Sequence, residues 1–175
     1  IYDANSFIFA ALTLPLQFLT SVVISSNIVF LFSFVLSGLS MFALVSYILR
    51  TKLQTTNYKL LSFLAGLIFA FSPYTLSQAM DGHTNLTTTW IIPLYTLFLL
   101  KSIETPSIKS AIITGIFAAL QFYSDFTYTS FLIIETILIF SCFLFKLIFG
   151  KNRSGTKALF SDTMIRIIVS GLFIL

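Results

Sequence analysis

Charge is what this sequence has least of. Asp, Glu, Lys and Arg make up 9% of its residues, against about 25% in a soluble domain. That deficit leaves too few polar groups to cover a water-facing surface and excludes a soluble globular domain. Cysteine is nearly absent. The single Cys142 lies in an apolar run, cannot form an internal disulfide and reads as a buried, inert thiol. Histidine occurs once, at His83. The sequence has no phosphate-binding glycine loop, no nucleophile elbow and no cluster of metal-ligand residues, so the usual signatures of NTPases, hydrolases and zinc enzymes are missing. Period-two alternation is missing too, which argues against a transmembrane barrel.

Hydrophobic residues make up 57% of the chain, 21 of them Phe, with a mean hydropathy of +0.99. They fall into long runs, the pattern of helices that cross a bilayer in about 20 residues. Residues 6–25 are apolar but interrupted by Pro15 and rich in Ser and Thr, which predicts a re-entrant or interfacial pair of short helices broken at the proline. Uncharged runs then predict spans at 27–49, 60–80, 84–100, 108–124 and 126–145, with a last one starting near 163. The expected fold is all-α: a polytopic transmembrane helical bundle of about six spans, forming a single domain. Because the chain starts at Ile1 and stops at Leu175 within an apolar stretch, it reads as an internal fragment.

The net charge is +4, but the cations lie between apolar runs, so topology explains them better than nucleic acid does. Arg50, Lys52 and Lys59 occupy one loop, Lys101 and Lys109 the next but one, and Lys146, Lys151, Arg153, Lys157 and Arg166 a third. The intervening loops carry Asp3, Asp81, His83 and Asp125 and no cation. The positive-inside rule predicts cytoplasmic basic loops in a cell membrane, with the acidic, histidine-containing face external.

Chemistry is expected at that external face. From Lys59 the helix meets Pro73 after about 21 Å, short of the roughly 30 Å hydrocarbon thickness. Pro93 falls within the membrane as well. The segment from Ser72 to Pro93 is therefore predicted to form a bent, partly irregular cap, either covered by protein or lining a wet cavity. Asp81 and His83 in this cap could bind a sugar hydroxyl or a phosphate, or shuttle a proton. Tyr74, Gln78 and Asn85 lie beside them as candidate substrate-binding residues. Asp125, in the next outward turn, is expected to share the cavity or else to cap a helix. Glu135, about ten residues into its span, is either a functional intramembrane carboxylate or a neutral acid bonded to a neighbouring helix. Tyr74, Trp90, Tyr95, Tyr123 and Tyr128 also fit an interfacial aromatic belt, and Asp81-Gly82 fits an ordinary turn. Asn85-Leu86-Thr87 matches an N-glycosylation sequon.

Several phrases occur together: Leu36-Ser37-Gly38-Leu39-Ser40-Met41, then Ala65 through Tyr74 (AGLIFAFSPY), then Gly82-His83, then Trp90-Ile91-Ile92-Pro93-Leu94. In this order they resemble the GT-C superfamily of polytopic membrane glycosyltransferases. The likeness is to the microbial branch with YfhO-like proteins and relatives of mannosyl- and arabinosyltransferases, and it covers most of residues 10–145. The resemblance implies transfer of a sugar from a polyprenyl-phosphate carrier to a glycan, lipid or protein acceptor at the non-cytoplasmic face. It also implies a catalytic Asp in the first external loop. Asp3 is the only acid here in that region and its surroundings do not match, so the resemblance puts the main catalytic Asp upstream of Ile1. No cofactor is evident; a divalent cation is the one candidate. Two other classes compete: a transporter or flippase of lipid-linked precursors, with Glu135 as coupling group, and a non-catalytic membrane scaffold.

Overall fold

A computed structural model describes residues 7–54, 56–83 and 86–149, except for the side chains of 146–149. Asp3, Asn85 with its sequon, the basic residues after Lys146 and the span expected at 163–175 lie outside the described residues. The described residues form helices and turns, with no strand. In chain order the helices are α1 (Phe7–Gln17), α2 (Val22–Thr51), α3 (Tyr58–Ala70), α4 (Pro73–Met80), α5 (Ile91–Glu104), α6 (Ile108–Ser124) and α7 (Phe126–Phe149). The chain divides into two compact units at Tyr128–Thr129. The first holds α1 to α6 and the start of α7. The described part of the second is the remainder of α7.

Three stretches are long and apolar enough to cross a membrane: Val22–Thr51, Tyr58–Met80 taken through its break, and Phe126–Phe145. At most a third of each is buried, so most of their apolar surface faces outward. An all-helical protein with apolar outer faces matches the expected class.

Local sequence sets each boundary. Ser21 opens α2, its hydroxyl accepting from the Ile24 N–H at 3.4 Å, so this helix starts five residues before the predicted span. Pro15 does not break α1. It sits in the last turn, and the helix runs on to Gln17. The break expected near Pro73 is present. Phe71 caps α3, Ser72 is the N-cap of α4 with its hydroxyl accepting from the Thr75 N–H at 3.2 Å, and Pro73 takes the first helical position. Proline fits there because that N–H has no partner within the helix.

The largest departure from expectation is α5. A span was expected from Thr84, but the helix starts at Ile91, with Pro93 in its first turn. Pro93 thus helps begin the helix. The residues ahead of it run inward without helical structure, and Thr87, Thr88 and Thr89 are all buried. Helix α5 is short, about 21 Å by the usual rise, but seven of its 14 residues are buried. It packs between α2 and α6. The bounds of α6 agree with the predicted 108–124.

Helices α2 and α3 approach most closely at two glycines. A β-carbon on Gly66 would stand 2.6 Å from the Gly38 carbonyl oxygen, so only glycine permits this spacing. On α2, Ser25, Ser33, Ser37 and Ser40 are buried along with Val29, Leu44 and Ile48. Small hydroxyl residues at helix contacts are expected where lipid rather than water surrounds a bundle, because dispersion and short hydrogen bonds replace hydrophobic driving force. Ser37 and Thr89 form such a bond, their hydroxyls 3.0 Å apart.

Candidate functional site

Contacts across the first unit sort its loops into two ends. At one end Lys52, just past α2, pairs with Glu104 at the end of α5. The Tyr47 hydroxyl donates to the other Glu104 oxygen at 2.7 Å. The Lys101 ammonium lies over the rings of Tyr47 and Phe98, 5.3 and 5.1 Å from their centroids. The loops carrying Arg50, Lys52, Lys59, Lys101 and Lys109 thus share one end of the unit, as the alternation of charge in the sequence requires.

Tyr128 organises the opposite end. Its ring is 1% exposed, and its hydroxyl lies 2.9 Å from the Leu86 carbonyl oxygen and 3.3 Å from the Tyr74 hydroxyl. A phenol has one proton and a carbonyl can only accept. Tyr128 therefore donates to Leu86, and Tyr74 donates to Tyr128. The Tyr128 N–H donates to Asp125 Oδ1 at 3.0 Å, which makes the buried Asp125 the N-cap of α7. Helix α4, the loop after it and the α6–α7 junction are joined through this one side chain.

Asp81, Gly82 and His83 terminate α4. Gly82 has a φ of +76°, its N–H donates to the Ala79 carbonyl, and the His83 N–H donates to the Gln78 carbonyl. These paired bonds form a Schellman cap, which needs a left-handed residue at the glycine position. Asp81-Gly82 is thus a helix stop, and the cap returns His83 to α4. There its Nδ1 lies 2.8 Å from Gln78 Oε1. The amide oxygen only accepts, so Nδ1 donates, and in the neutral form of this exposed ring the lone pair is on Nε2. A histidine held through one nitrogen with the other presented outward is arranged to accept a proton or to bond a polar ligand.

Among the candidates, Gln78 and His83 are brought into direct contact. Asp81 is exposed two residues away. Tyr74 belongs to the Tyr128 network, where Asp125 acts as a cap. Glu135 is half-buried in the second unit. Tyr95 and Tyr128 are buried and do not belong to an interfacial belt, whereas Tyr123 is 60% exposed. Among the described residues no group of three His, Cys, Asp or Glu side chains could hold a metal ion.

Two further features were missed from sequence. Gln121 is fully buried, yet among the described residues neither its amide oxygen nor its nitrogen has a hydrogen-bond partner. Nothing in its run distinguished it from its neighbours. Between α2 and the α3–α4 pair lies an apolar cavity of about 950 Å³. Its walls include Phe30, Phe34 and Phe42 of α2 and Phe63 of α3, and it extends to Leu76, Ala79 and Met80 of α4. The phenylalanine content was visible in the sequence, but its enclosure of a groove was not.

The chain matches no protein-family model, no curated protein and no solved structure.

Proposed function

We propose that this chain is part of a polytopic membrane glycosyltransferase of the GT-C type. It moves a sugar from a polyprenyl-phosphate donor to an acceptor at the non-cytoplasmic face. The cation-bearing end lies in the cytoplasm, and the end holding His83, Asp81 and Tyr128 faces outward. On this reading α5 and α6 complete the crossing of the bilayer along with the longer helices, and a further span follows the described residues.

The observation that carries the proposal is the Gln78–His83 pair at the end of the first unit that has no cation. Sugar transfer needs a group to take the acceptor hydroxyl proton as the glycosidic bond forms. It also needs donors for the phosphate that leaves with the electron pair of the broken bond. The outward Nε2 of His83 can perform the first task, and Gln78 holds the ring in the tautomer that allows it. Asp81 is close enough in sequence to bind sugar hydroxyls. Asp125 is occupied as the cap of α7, so its part in the site is to hold the wall.

The full-length protein in membranes, given a radiolabelled polyprenyl-phosphate sugar, tests this. His83→Ala is expected to lower transfer about 100-fold, the low end of general-base effects, and Gln78→Ala to lower it less. Transfer unchanged by His83→Ala removes the assignment. So does impermeant cysteine labelling from outside the cell that reaches the Lys52 loop and spares the His83 loop.

A further inference from the structure

We propose that the cation-bearing end of the first unit binds anionic phospholipid, with headgroup phosphates at Lys59 and Lys109 and acyl chains along the exposed apolar stripes beside them on α3 and α6. The residues involved are separate from those of the sugar-transfer reading, and the proposal does not depend on it.

Three observations carry this. The first is a charge balance that the described residues leave open. Arg50, Lys52, Lys59, Lys101 and Lys109 share this end, and Glu104 is its only described carboxylate. Glu104 is already taken by Lys52 and the Tyr47 hydroxyl, and Lys101 lies over the rings of Tyr47 and Phe98. Arg50, Lys59 and Lys109 are exposed and, among the described residues, pair with no carboxylate. An anionic headgroup supplies the missing charge. A zwitterionic one brings an ammonium of its own and gains less.

The second is the order of residues along the two helices. Lys59 stands in the first turn of α3, beside an exposed stripe of Leu60, Leu64 and Ile68. Lys109 stands in the first turn of α6, beside an exposed stripe of Ile108, Ile112 and Ile116. In both cases the apolar residues recur every four positions, so they line one side of the helix. Helix α3 belongs to a stretch long and apolar enough to cross a membrane, and α6 is a shorter apolar helix. Hydrocarbon therefore meets the stripes, while a lysine can lay its stem on apolar surface and keep its ammonium at headgroup level. A phospholipid presents charge and then hydrocarbon in this order. An acidic peptide or a nucleic acid matches the charge and leaves the stripes uncovered.

The third is placement. Helix α3 packs on α2, and α6 packs on α5, so the two lysines stand on different helix pairs at one end of the unit. A leaflet presents phosphates across a plane and meets both without their converging on a single anion.

Photolabelling of the full-length protein in vesicles tests the proposal. The probes are phosphatidylglycerol and phosphatidylcholine carrying the same diazirine near the top of one acyl chain. The glycerol lipid is expected to label residues 60–68 and 108–116 about fivefold more than the choline lipid, the effect of one cation near an anionic headgroup. Around Val23, an exposed residue at the other end of α2, the two probes should label alike. Lys59→Gln should bring the ratio at 60–68 to about one and leave 108–116 unchanged, and Lys109→Gln should do the reverse. Each variant thus carries its own check that the fold persists. Salt at about 1 M, where screening acts within about 3 Å, should shrink both ratios. Excess unlabelled phosphatidylglycerol should compete, and soluble glycerol phosphate should not.

Equal labelling by the two probes at both stripes overturns the proposal. So do ratios that neither glutamine changes, or that either glutamine lowers at both stripes together. Competition by glycerol phosphate as strong as by the lipid would make these sites for a soluble anion, which also overturns it.

Discussion

The two ends of the first unit are closed by different chemistry. At the cation-bearing end a single carboxylate, Glu104, holds Lys52 and accepts from Tyr47, while Lys101 lies on aromatic faces. At the opposite end, mostly neutral hydrogen bonds hold the described residues together: the Schellman cap of α4, the Ser72 cap and the Tyr74–Tyr128–Leu86 chain, with the Asp125 carboxylate capping α7. Charges suit a boundary where water can still hydrate them. Buried dipoles suit an interior where an unpaired group is costly and a paired one is strengthened. The difference also shows which groups remain available. Glu104 is committed to its partners, but among the described residues one nitrogen of His83 and the carboxylate of Asp81 take no part in holding the fold.

The strongest way to break this comparison is to separate the helices on which both ends rest. Gly66→Val would drive a side chain into the Gly38 carbonyl, 2.6 Å from the first added carbon. The expected cost is about 3 kcal/mol, the upper part of the range for overpacking. Thermal unfolding in detergent should show both ends lost together; an unchanged midpoint would mean that α2 and α3 do not set the spacing.

A smaller effect isolates the neutral end. Tyr128→Phe removes the hydroxyl that serves the Leu86 carbonyl and the Tyr74 hydroxyl, and should cost about 1–2 kcal/mol. Hydrogen exchange should rise in the 81–90 loop and stay constant at Glu104. Equal change at both ends would contradict their independence.

The smallest effect belongs to the charged end. The Lys52 and Glu104 side chains are 38% and 25% exposed, so Glu104→Gln should cost about 0.5 kcal/mol or less. The difference from wild type should shrink as salt screens the pair. A larger, salt-independent loss would mean that this end is held as tightly as the other.

The sequence made the helical class, the apolar outer faces and the bounds of α6 legible, because each follows from composition and run length over a dozen residues or more. The break at Pro73 was legible for a local reason: proline lacks an N–H. At Pro93 two expectations differed: the span expected from Thr84 did not form, whereas the irregular stretch predicted up to Pro93 agrees with the non-helical residues 86–90 and the start of α5 at Ile91. Tyr95 and Tyr128 looked like interfacial aromatics because burial of a tyrosine depends on which helix faces it. The pairing of Gln78 with His83 needed the positive φ of Gly82. Asp81-Gly82 was read as a turn, and only its carbonyl partners make it a helix cap.

Run length and charge placement were enough to require apolar helices with cations gathered at alternate loops, since hydrocarbon accepts neither bare charge nor unpaired backbone. Tertiary structure alone decided that Gly38 and Gly66 face each other, that Tyr128 joins the loops of one end, and that phenylalanines on two helices enclose a groove. Each of these depends on the rotation of one helix against another, which is set by packing between residues far apart in the chain.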